Sequence, residues 1–196
     1  MDTLTRFIEF KGAAIVLLSL MMLTPAGAAT LAGVSLPDQA TVGEKALVLN
    51  GLGLRTATML KVKVYVIGLY LESKSNDAGA IIGSRQNKRL EIHFVHNVTA
   101  KELRDGWKEG FEDNYKDVDS IKNEIAKFNA SMRDVKSGDS IVLDISGDTV
   151  AVMINGSKID SMKGNAFQQA LLSIWLGRKP PNKGLKKGIL GSLPSS

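Results

Sequence analysis

Arg55 stands between two apolar segments, directly after the glycine-rich run Gly51-Leu52-Gly53. An arginine delivered into an apolar cleft binds a carboxylate or another oxyanion through two parallel hydrogen bonds. Composition alone reads the same residue as a surface arginine, because arginines are mostly exposed. At this level both readings stand. The two histidines, His93 and His96, lack an acidic or cysteine companion at ligand spacing and make a poor metal site, so satisfied strand histidines are the simpler reading. Gly51-Leu52-Gly53 lacks the rest of a dinucleotide fingerprint and is read as a backbone turn. There is no G-x-S-x-G elbow from which a serine nucleophile could be recognised. No metal and no cofactor is expected.

The elements that must position Arg55 are legible as periodicities. Ala46-Leu47-Val48-Leu49 reads as a strand, and the spacing predicts a longer, central one over 59–71. In that longer strand Val62, Val64, Val66, Gly68 and Tyr70 form an apolar or small face expected in the core. The alternate face, Lys61, Lys63, Tyr65, Ile67, Leu69 and Leu71, begins charged and ends apolar, as a strand running from solvent into a cleft would. Residues 29–43 read as a lead-in with one edge strand. Asn76 or Asp77 caps a short helix through Ile82, and 88–98 is a further strand.

Thr99 and Glu102 spell a capping box at the start of a long helical region. Leu103, Trp107, Phe111, Val118, Ile121, Ile125, Phe128 and Met132 form its apolar stripe, with a break expected near 114–119. Ser140–Ile145 and Thr149–Ile154 are strands about the Gly147-Asp148 turn, and Asn155-Gly156 marks another. A last helix carries Phe167, Ala170, Leu171, Ile174 and Trp175 and stops at Gly177, before Pro180 and Pro181. Strands and helices do not alternate strictly, so the class is α+β with an antiparallel sheet and helices on one side.

Ahead of this domain, Arg6 and Lys11 precede an apolar run from Gly12 to Leu23. Pro25 breaks the run, and Ala26-Gly27-Ala28 fits the small-x-small cleavage rule. Residues 1–28 are therefore expected to be a signal peptide cut after Ala28, with a single exported or periplasmic domain over 29–196. The run is too short for an ordinary membrane span, so no stable span is expected after signal removal. The chain has no cysteine, which excludes disulfides, thiolate metal sites and a lipoprotein anchor. Its net charge of +5 collects partly in Arg178, Lys179, Lys183, Lys186 and Lys187. With no recognition module beside it, that charge reads as a solvated face, and no nucleic acid partner is expected.

The segment Leu49 to Ser73, LNGLGLRTATMLKVKVYVIGLYLES, resembles the hallmark of chalcone isomerases and their relatives: Gly-x-Gly-x-Arg, then a strand ending Gly-hydrophobic-Tyr-hydrophobic. Asn155-Gly156, the Phe167 helix and Trp175-Leu176-Gly177 with Pro180 resemble the bacterial, exported branch. The resemblance implies an open-faced β-sandwich, an antiparallel sheet with a helical layer on one face and a ligand cleft between them. Arg55 falls on the family's oxyanion-binding arginine. Tyr65 stands where the ring-closing enzymes carry a strand threonine, and their helix tyrosine and asparagine find no match around 101–110. Fatty-acid-binding relatives, by the same resemblance, pair the arginine with a tyrosine on this strand. The implied function is non-catalytic binding of a fatty acid or similar small apolar acid. Arg55 and Tyr65 would hold the head group, with Tyr70 and Trp107 as cleft lining or, more simply, core. The alternatives are an isomerase acting on a chalcone-like conjugated ketone by orientation and charge stabilisation, and an envelope module without a ligand.

Overall fold

The computed structural model describes residues 27–191. The signal peptide expected over 1–28 lies almost wholly outside them. Nine strands and five α-helices follow in order. Strands β1 (Ala28–Leu31) and β2 (Val34–Pro37) make a separate hairpin. Strands β3 (Gln39–Val42), β4 (Lys45–Ala57), β5 (Val62–Leu71), β6 (Lys88–Phe94), β7 (Ser140–Ser146), β8 (Thr149–Ile154) and β9 (Ser157–Lys163) form one antiparallel sheet in sequence order. Every pair in it joins antiparallel neighbours, the arrangement that short turns permit. The lead-in thus holds three strands rather than one, and β9 adds an edge beyond the Asn155-Gly156 turn. Both turn residues there have positive φ, 50° and 76°, as a two-residue hairpin requires.

Strand β4 does not turn at its glycines. It runs straight through them, with a bulge at Asn50 between Leu49 and Gly51. The bulge changes which alternate residues face outward: Leu47 and Leu49 before it, Leu52 and Leu54 after it, all in one apolar cluster. Asn50 is buried, donating to Ser75 O at 2.9 Å and Ile189 O at 2.8 Å while accepting from Ser75 N. Gly51 and Gly53 then face inward, where a Cβ would lie 2.1 Å from Gly188 O and 2.6 Å from Leu185 O. The glycines are room for a helix, α5 (Lys183–Ile189), which the sequence reading did not include.

Strand β5 is buried on both faces from Tyr65 onward. Tyr65, Ile67, Leu69 and Leu71 belong to the main core under the helices, whereas Val66 and Tyr70 pack with Leu36 and Leu52 beneath the β1–β2 hairpin. A second bulge, at Val64, brings Val64 against the main core instead of leaving it on the Val66 side. The expected single core face is therefore two half-faces under two covers. The strand also starts later than expected, because 58–61 form the turn.

The helical layer follows its sequence signals closely. Asp77 caps α1 (Ala78–Gly83). Thr99 and Glu102 close the capping box of α2 (Ala100–Asn114), whose buried residues are Leu103, Trp107 and Phe111. After a 3-10 turn at Val118–Ile121 comes α3 (Lys122–Ala130), which buries Phe128. Helix α4 (Asn165–Leu176) is buried on nearly all sides and ends at Gly177. Phe111, Phe128 and Phe167 stack with ring centroids 5.9–6.3 Å apart, and each buried ring of this size stabilises the fold by about 1.5–3 kcal/mol.

Candidate functional site

Arg55 and Tyr65 are register partners on β4 and β5, so their side chains leave the same face of the sheet. Both line a cleft of about 480 Å³ between the ends of β4–β6, the start of α2 and the Lys179-Pro180-Pro181 segment. That volume lies in the range of small-molecule sites. Val62, Val64, Phe94, Leu103 and Ile174 make much of the wall apolar, while Glu102, Glu109 and Asp113 put acidic groups on the α2 side.

The half-buried Arg55 is held by one end. Its Nη1 donates to Thr56 O at 2.5 Å, Pro181 O at 3.1 Å and Asn182 Oδ1 at 3.2 Å. Asn182 Oδ1 also accepts from Thr56 N, which ties the segment before α5 to β4. Among the described residues no carboxylate within ion-pair distance neutralises the guanidinium. A guanidinium carries five N–H groups, and those on Nε and Nη2 have no protein acceptor among these residues. Fixed geometry plus free donors is what a bidentate anion needs.

Tyr65 is 5% exposed. Its hydroxyl accepts from Trp175 Nε1 at 3.0 Å, and Phe94 packs edge-on against its ring at 5.7 Å. Since an indole N–H only donates, the phenol proton is left for another acceptor. Burial pushes the pKa of this phenol above the ordinary range, outweighing the Trp175 hydrogen bond and the Arg55 charge, which lower it. Tyr65 is therefore a neutral donor at physiological pH.

Trp107 lines the same cleft and also packs in the core, 5.5 Å from Trp175 and 6.1 Å from Phe128. It fills both roles considered for it. Its indole N–H is buried without a partner among the described residues. Tyr70 does not reach the cleft. Five residues along the strand from Tyr65, it points to the opposite face, where its hydroxyl donates to Pro37 O at 3.0 Å. Of the four expected site residues, the fold brings together Arg55, Tyr65 and Trp107 and sends Tyr70 to the other cluster.

Three contributors went unread in the sequence. Asn182 and Pro181 fix Arg55 from 126 or more residues away, a pairing that no local pattern signals. Gly106 was legible: with Gly110 it sits one helical turn apart beside Leu103 and Trp107, on the stripe facing the sheet. A Cβ at Gly106 meets open space, whereas one at Gly110 would meet Ile174 at 2.7 Å. One glycine lets α2 approach α4, and the other leaves the cleft open. His93 bonds Glu91 at 2.9 Å and faces away from the cleft, while the exposed His96 lines its rim.

A family profile described as chalcone isomerase-like matches residues 28–191. The chain belongs to the chalcone isomerase-like family. No curated protein matches it in sequence. Among solved structures, the crystal structure of a fatty-acid binding protein from Arabidopsis thaliana superposes with a TM-score of 0.70 at 16% identity, covering 84% of this chain and 96% of that one. At that identity the likeness establishes the fold: the curled antiparallel sheet with helices on its inner face. Within this chalcone isomerase-like chain, the arginine of the hallmark stands at the mouth of the cleft, and Tyr65 stands beside it.

Proposed function

We propose that this protein binds a small apolar acid, such as a fatty acid, in the cleft and does not transform it. One observation carries the reading: two fixed donors, the Arg55 guanidinium and the Tyr65 hydroxyl, stand side by side with hydrogen-bonding capacity left over, in a cleft whose wall is apolar along Val62, Val64, Phe94 and Leu103. A carboxylate seated there takes charge-assisted bonds from Arg55 and a neutral bond from Tyr65 while its chain lies along Phe94, Leu103 and Trp107. The superposing plant structure is a fatty-acid binding protein, which agrees with this reading. The same proposal places the mature domain outside the cytoplasm, on the strength of the charged, apolar and small-residue pattern over 1–28. Intact mass of the protein from a periplasmic fraction, starting at Ala29, is the expected outcome.

The binding test compares an acid with its methyl ester by calorimetric titration. Charge-assisted bonds contribute about 1.5–3 kcal/mol net, so Arg55→Ala should weaken acid binding about ten- to a hundredfold. Arg55→Lys should restore only part, because an ammonium lacks the planar fork. The ester should bind wild type and Arg55→Ala alike. Equal acid affinity in the two proteins sinks the anchor.

A further inference from the structure

The turn joining β4 to β5, Thr58-Met59-Leu60-Lys61, breaks the ordinary chemistry of turns. Such positions favour glycine, proline, asparagine and aspartate. Here the two central residues are apolar and almost wholly exposed, Met59 at 99% and Leu60 at 87%, the only large hydrophobics so placed among the described residues. The flanking Thr58 and Lys61 hold positive φ, 63° and 52°, a conformation unfavourable for a β-branched residue in particular. Lys61 N donates to Thr58 O at 3.1 Å and closes the turn. The backbone is thus held in a disfavoured form that thrusts two apolar side chains into water. Such local contradictions tend to mark function rather than folding.

What surrounds the tip indicates what it meets. Lys61 and Lys63 are exposed beside it. Ala57, Thr58 and Val62, the residues leading into and out of the turn, line the cleft, so the tip forms one lip of the cleft mouth. On the opposite lip Lys179 pairs with Asp113 at 2.6 Å, and the Glu102 carboxylate is engaged by Thr99, which leaves Glu109 as the acid without such a partner. Apolar side chains next to lysines match the boundary between acyl chains and anionic headgroups.

We propose that this turn is a bilayer-docking tip. Met59 and Leu60 enter the headgroup–acyl boundary of an anionic membrane and Lys61 and Lys63 meet lipid phosphates, which sets the cleft mouth against the surface from which an apolar acid would enter. The entry role rests on the binding function proposed above, whereas the docking itself does not.

The absence of cysteine from the chain allows a site-specific test in the full-length protein that is blind to its N-terminal apolar run. Leu60→Cys and, as a control, Asp148→Cys are each labelled with an environment-sensitive dye. Asp148 lies in the β7–β8 turn, which the strand register places at the opposite end of the sheet. Each protein is titrated with vesicles of equal parts phosphatidylglycerol and phosphatidylcholine. The dye at 60 should shift to the blue while the dye at 148 does not. Each juxtamembrane lysine contributes about fivefold in affinity, so Lys61→Ala with Lys63→Ala should raise the vesicle concentration at half-response about thirtyfold. Met59→Ser with Leu60→Ser, in otherwise unlabelled protein, should slow uptake of a fluorescent fatty acid from vesicles while leaving its affinity in free solution unchanged. No response at position 60, as expected if the tip contacts a protein instead, overturns the proposal, as does an equal response at 60 and 148. A response at 60 in a protein that binds no acid upholds docking and rejects the ligand reading alone.

Discussion

Tyr65 and Tyr70 lie on one strand, five residues apart, and both are buried, yet they are opposite in character. Tyr70 sits beneath the β1–β2 hairpin, its hydroxyl bonded to the Pro37 carbonyl and its ring packed with Leu36, Leu49 and Val66. Tyr65 faces the helices, where Trp175 occupies its oxygen and leaves its proton over. The outer side of the sheet at β5 is closed beneath its cover, while the inner side keeps donors in excess among the described residues: Tyr65, part of Arg55 and the unpartnered Trp107 N–H. Buried polar groups are normally satisfied. A local surplus of donors on one face therefore marks a candidate site better than burial or residue type does.

The sharpest test of this contrast is stability. Tyr70→Ala should cost about 3–5 kcal/mol, the usual penalty for deleting a buried aromatic ring, read from urea midpoints. Tyr65→Phe keeps the ring but leaves the Trp175 N–H without an acceptor, so it should cost about 1–3 kcal/mol of stability. The same variant should weaken acid binding by about 0.5–1.5 kcal/mol. If Tyr70→Phe reduces acid binding as much as Tyr65→Phe, the division between the two faces fails.

A third expectation concerns a cation closed off as Tyr70 is. Lys88, 1% exposed, donates to Ser84 O at 2.8 Å and Gln86 O at 3.0 Å. Burial depresses its pKa to about 8 despite the nearby charge of Glu72, from an ordinary 10.5. Between those values the unfolded chain still holds a proton that the folded chain has released, so stability rises with pH across the window and levels off above it. Lys88→Met should flatten that rise, measured as the difference in urea midpoint between neutral pH and about pH 10. The smallest effect is at Gly106, where a methyl group meets open space. Gly106→Ala should stabilise the helix by about 0.5–1 kcal/mol, while Gly106→Leu should fill the cleft and lower acid affinity without unfolding the chain.

Much of the fold was legible because its signals are local. The T-x-x-E box at Thr99, the stripe from Leu103 to Phe128 and the turns at Gly147-Asp148 and Asn155-Gly156 each state their structure within a few residues. The bulge at Asn50 was legible too, in the shift from Leu47 and Leu49 to Leu52 and Leu54, but a glycine pair invites reading as a turn. Helix α5 hid behind weak propensity, since two of its seven residues, Gly184 and Gly188, are poor helix formers. For the site, the motif pointed to Arg55 and Tyr65. Their partners Asn182 and Trp175 depend on tertiary packing, which no spacing announces. Tyr70 is core, the simpler of its two expected roles, but in the cluster beneath the β1–β2 hairpin rather than against the helices, because separate covers bury both faces of its strand.

Helix α5 bears on the order in which the molecule becomes complete. The contacts that pose the guanidinium join residues 126 apart in sequence, and Asn50 waits for Ile189 across 139. A ribosome delivers those partners more than a hundred residues after the strand that needs them, and such distant pairings close slowly. Until then β4 presents a groove at Gly51 and Gly53 with nothing in it. The nascent chain can assemble its sheet early, but the arginine is aimed only when the Pro181-Asn182 segment ahead of α5 has docked.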